Sequence, residues 1–143
     1  MSIQTIDVLY TAVATAENGR DGRVASDDGN LDVVVNPPKE LGGSGTGTNP
    51  EQLFAAGYSA CFQGALGVVA RQDKADISGS TVTASVGFGK NGNGGFGLEV
   101  AISVSLPNVD EATAKALVEK AHQVCPYSNA TRGNIKVELS VVR

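Results

Sequence analysis

The nineteen residues from Gln52 to Ala70, QLFAAGYSACFQGALGVVA, contain no Asp, Glu, Lys or Arg. A stretch of this length and character has to leave water, either across a bilayer or inside a protein core. Two Gln, Tyr58, Ser59 and three Gly make poor lipid-facing material, so a helix buried on all sides within a globular fold is expected, not a membrane span. Its start is marked locally. Asn49 is a suitable N-cap, Pro50 suits the first helical position where no N–H is needed, and Glu51 matches the positive helix end.

A second helix is expected from Asp110, where Ala114, Leu117, Val118, Ala121 and Cys125 recur at helical spacing. Pro126 disfavours helical geometry at Cys125, so this helix should stop there. Strands are expected at Thr5 to Ala16 and Leu31 to Val35, with turns in ENGRDGRVASDDGN between them. NPPKELGGSGTGTNP reads as an irregular loop. Ser80 to Leu106 alternates around a Gly- and Asn-rich turn as a hairpin, and Ile135 to Val141 alternates as a closing strand. This order predicts an α+β fold, with an antiparallel sheet packed around the central buried helix, in one domain spanning 1–143.

Charge and motifs exclude several functions. With 11 basic and 15 acidic residues, and no basic cluster, neither nucleic acid nor an anionic membrane is the expected partner. The N-terminal residues lack the basic and apolar regions of a signal peptide, so a cytoplasmic location is expected, where cysteines stay reduced. Gly87, Gly89 and Gly92 fit G-x-G-x-x-G, but a strand follows them where a dinucleotide fingerprint needs a helix. One His and two Cys without ligand spacing predict no metal site. His122 reads as a solvated helix position.

Chemistry then rests on Cys61 and Cys125. Either could be an inert core residue. Burial beside Phe54, Tyr58 and Phe62 would raise the thiol pKa of Cys61, so a reactive Cys61 needs a cation, and none lies within one helical turn. The turn NGRDGR offers Arg20 and Arg23, either of which would need a carboxylate to orient it, with Glu51 as a candidate. Each of these charges also reads as an ordinary solvated residue.

The blocks NPEQLFAAGYSACFQGAL and VCPYSNATRGNI resemble the two signature blocks of organic hydroperoxide resistance proteins in the Ohr/OsmC family. NGRDGRVASDDGNLDV and PKELGGSGTGTNPEQ extend the resemblance over nearly the whole chain. Asn18 stands where a second glycine is common in that family. The resemblance implies a thiol peroxidase with Cys61 peroxidatic, Cys125 resolving, Arg20 activating and Glu51 orienting the arginine. It implies organic hydroperoxides as substrates, accommodated by an apolar wall read as Phe54, Tyr58 and Phe62. It also implies an intertwined homodimer and no bound cofactor, with electrons coming from an external dihydrolipoyl dithiol on lipoylated proteins. The alternative is a redox-sensing or binding module that oxidises the same pair only once.

Glu51 and Cys61 are ten residues apart, about 15 Å along a straight helix. Unless the helix breaks, for example at Gly57, they should therefore meet only across two copies, with their helices packed antiparallel through Gly57, Ala60 and Gly64.

Overall fold

The computed structural model describes residues 3–142. These form two compact units, divided between Leu53 and Phe54.

In the first unit, β1 (Ala14–Glu17), β2 (Gly22–Ser26) and β3 (Asp32–Val35) form an antiparallel sheet in that order. The expected first strand is thus much shorter than Thr5 to Ala16, and β2 occupies part of the predicted turn. The β1–β2 turn explains the Asn at position 18. Asn18 and Gly19 both have positive φ, 60° and 56°, and Asn tolerates this region better than other residues with a side chain. The proline- and glycine-rich loop contains one 3-10 turn, Lys39–Leu41, and a bridge from Val35 to Thr48. Helix α1 (Pro50–Asp73) starts at the predicted cap, where Asn49 Oδ1 accepts the Gln52 N–H at 2.8 Å.

The second unit contains the rest of α1, β4 (Thr81–Lys90), β5 (Phe96–Ser105), α2 (Glu111–Val124), a short α3 (Pro126–Thr131) and β6 (Val137–Val142). β4 and β5 form the expected antiparallel hairpin. β6 pairs with β5 in parallel, a departure from the expected antiparallel sheet. The chain between them passes through α2 and α3, and a helical crossover of this kind returns a strand in the same direction.

By length and composition α1 could cross a membrane, but its Tyr58, Phe62, Leu66 and Val69 face packs into the core with Ile102, Val104, Leu117 and Ala121. Ser59 Oγ accepts the Ala84 N–H of β4 at 3.1 Å. The helix is buried on one face and not all round: Ala56, Ala60, Gly64 and Val68, at successive turns, are exposed in the single chain. Helix α2 begins at Asp110, whose side chain accepts the Thr113 N–H at 2.7 Å, and ends at Cys125, as its periodicity and Pro126 predict.

Candidate active site

Cys61 lies on the fourth turn of α1, half-buried, and Cys125 is fully buried at the junction of α2 and α3. Both are free thiols. Cys125 S–H donates to Cys61 Sγ at 3.4 Å, so the core packing of α1 against α2 brings the two sulfurs into contact. Burial is the main cause that pushes the Cys61 thiol above its ordinary pKa, and Cys125 pushes it the same way. The backbone N–H of Tyr127 donates to Cys61 and pulls the other way.

In the first unit, Arg20 and Glu51 form a bidentate pair. Arg20 Nη1 reaches Glu51 Oε2 at 3.1 Å and Nη2 reaches Oε1 at 2.7 Å. The hydrogen bonds from Arg20 hold the Glu51 carboxyl below its ordinary range, against a smaller opposing effect of burial. Two parallel bonds fix the plane and direction of a guanidinium as one cannot. Arg23 has a different partner. It pairs with Asp32 across β2 and β3, through two contacts of 2.7 Å.

Phe54, Tyr58 and Phe62 separate on inspection. Tyr58 and Phe62 are fully buried core residues, whereas Phe54 lines a cavity of about 540 Å³ with Leu98, Tyr127, Ala130 and Ile135. Tyr127 was not singled out by sequence reasoning. Its ring packs 6.0 Å from Phe54 and 5.6 Å from Tyr58, centroid to centroid, while its N–H faces Cys61. The signal for it was Gly57. A Cβ there would lie 2.7 Å from the Tyr127 hydroxyl oxygen, so this glycine makes room for a ring of its own chain.

His122 also departs from expectation. It is partly buried, with Nδ1 2.8 Å from Ser128 Oγ. A larger cavity, about 690 Å³, runs along the tips of β4 and β5 beside Phe88, Lys90 and Lys136, but it contains no thiol. Among the described residues, no three His, Cys, Asp or Glu side chains converge as metal ligands.

Two small sheets with a long helix make an α+β fold of the OsmC class, and the model of the OsmC-like protein family matches residues 43–140. The chain belongs to the organic hydroperoxide resistance (Ohr) proteins of that family. A protein of that name from Xanthomonas axonopodis pv. citri is 57% identical over 136 residues, covering 94% of this chain and 95% of its own. Organic hydroperoxide resistance protein OhrB of Bacillus subtilis is 46% identical over 134 residues, covering 93% and 98%. The crystal structure of an organic hydroperoxide resistance protein from Elizabethkingia anophelis, 55% identical, matches with a TM-score of 0.92 over 96% of this chain and 99% of that one. Membership in this family is consistent with peroxide detoxification.

Proposed function

We propose that the protein is a thiol-dependent peroxidase that reduces organic hydroperoxides, including alkyl and fatty-acid ones, to alcohols. The observation that carries this reading is the 3.4 Å approach of two free thiols, one buried and one partly open. The Cys61 thiolate attacks the terminal oxygen of the peroxide. The O–O bond breaks, the alcohol leaves with a proton, and Cys61 becomes a sulfenic acid. Cys125 then condenses with it, forming the Cys61–Cys125 disulfide and releasing water. A dihydrolipoyl dithiol on a lipoylated protein returns two electrons and two protons by exchange, becoming the cyclic disulfide. No bound cofactor is required.

Arg20, oriented by Glu51, favours the thiolate and polarises the peroxide in this reading. The pair of one copy serves Cys61 of another in an intertwined homodimer. Two features support the dimer. Ile3, Ile6, Val8, Leu9 and Tyr10 are each at least 65% exposed in the single chain, an unusual amount of uncovered apolar surface for one segment. The uncharged stripe Ala56, Ala60, Gly64 and Val68 offers a second helix a close approach. Phe54 and Tyr127 form the wall for an alkyl chain, with Tyr58 and Phe62 packing it from behind. A cytoplasmic location agrees with two cysteines that must be reduced in every cycle.

Substitution tests the roles. Cys61→Ser abolishes peroxide consumption, whereas Cys125→Ser permits the first oxidation and then accumulates overoxidised Cys61. Equal activity in the two variants contradicts the assignment.

A further inference from the structure

The second unit also contains a chain of hydrogen-bonded polar groups, the Tyr58 hydroxyl among them, that this chemistry leaves unused. Tyr58 Oη lies 2.8 Å from Ser128 Oγ and 3.1 Å from Thr131 Oγ1. Ser128 Oγ is in turn 2.8 Å from His122 Nδ1. Tyr58 and Ser128 are completely buried, and Thr131 is nearly so. The chain joins all three helices: Tyr58 from α1, His122 from α2, and Ser128 and Thr131 from α3. Arg132 adds a second tie, from Nη1 to Asn129 Oδ1 and from Nη2 to the His122 carbonyl.

The positions of these residues relative to the thiols are informative. Tyr58 precedes Cys61 by three residues on α1, so both lie on neighbouring parts of one helix face. Ser128 follows Cys125 by three residues, and Cys125 is the N-cap of α3. Between them, Tyr127 directs its N–H at Cys61. A buried hydroxyl without a partner is costly, so Tyr58, Ser128 and His122 hold each other in place. Where α3 sits then decides where Cys125 sits. The sulfurs, 3.4 Å apart, must still close to about 2.05 Å to bond.

We propose that the Tyr58–Ser128–His122 chain positions Cys125 for condensation with the Cys61 sulfenic acid, with Ser128 as its central positioning residue. The step is Cys61–SOH plus Cys125–SH giving the disulfide and water, with the Cys125 proton leaving in that water. This rests on the peroxidase reading above, and adds that resolution, which needs Cys125 itself to be placed, depends on the anchoring of α3 more steeply than peroxide attack, which α3 touches only through Tyr127. With α3 loosened, the sulfenic acid survives long enough for a second peroxide to oxidise it to the sulfinic acid.

The test uses the full-length reduced protein and cumene hydroperoxide. Rapid mixing with one equivalent measures peroxide loss, and intact mass after quenching measures disulfide against dimedone-trapped sulfenic acid. Ser128→Ala is expected to slow disulfide closure by about tenfold or more, the scale of a misplaced reacting group, while changing the rate of peroxide loss by clearly less. Excess peroxide should then give sulfinic acid in the variant at levels where the wild type stays a disulfide. His122→Ala, at the more exposed end of the chain, should slow closure in the same direction and provides the test if Ser128→Ala does not fold. His122→Asn, whose amide can replace Nδ1, should restore closure. Wild-type closure rates in Ser128→Ala, or in His122→Ala where only that variant folds, would overturn the inference. Wild-type protein that never closes the disulfide would instead overturn the peroxidase reading.

Discussion

Cys61 is held in opposing ways. Burial and Cys125 raise its pKa while the Tyr127 N–H lowers it, and the balance is upward. A thiol raised in this way is mostly protonated at neutral pH and attacks slowly. The proposed chemistry therefore requires Arg20, and this can be checked by alkylation of Cys61 across pH. Arg20→Ala should move the pH midpoint of alkylation upward by about one unit. A shift seen only in Arg23→Ala would assign the role to the other arginine, although Arg23 is engaged with Asp32. His122 allows a second prediction. Burial first, and Arg132 second, lower its pKa against an opposing effect of Glu119. The folded protein thus binds this proton less readily than the unfolded chain. Its contribution to stability is present above the ordinary imidazole value, about 6.5, and is lost as the pH falls below it through the folded value. Denaturant midpoints should fall in that window for the wild type, and the slope should flatten in His122→Asn.

At the scale of elements, the helices and hairpin were legible because their signals are local. Asn49 and Asp110 cap as their side-chain chemistry predicts, and Val100, Ile102 and Val104 alternate into the core. What was not legible depends on partners distant in sequence. Residues 5–13 carry strand-type residues, yet a strand needs an edge to pair with, and in the chain only Ala14–Glu17 finds one. β2 was hidden because Arg23 and Ser26 have the composition of a turn. The direction of β6 depends on where α2 and α3 deliver it. At the site, Cys61 could be placed on a helix from its uncharged run and the Asn49 cap, and Cys125 from helix periodicity, whereas Tyr127 could not be read, because its role depends on the close contact with Gly57. Two predictions belong here. Asp110→Ala removes the α2 cap and should cost about 1 kcal/mol in urea unfolding. Gly57→Ala should improve helix propensity by up to about 1 kcal/mol, yet displace the Tyr127 ring. Its KM for bulky aryl or long-chain hydroperoxides should therefore change more than its KM for small ones.

At the scale of the whole molecule, the apolar N-terminal segment and the small-residue stripe on α1 require cover, and a second copy supplies it in our account. Sedimentation should give a dimer, and Leu9→Ser with Ile3→Ser should shift it toward monomer with a parallel loss of activity. A fully active monomer would contradict the proposal that Arg20 and Glu51 serve the other copy. The central claim, however, is repeated turnover through one thiol. It is tested most directly by steady-state consumption of cumene hydroperoxide with dihydrolipoamide as reductant. The account predicts many equivalents reduced per chain by the wild type and none by Cys61→Ser. Consumption that stops after one equivalent, or persists in Cys61→Ser, would contradict it.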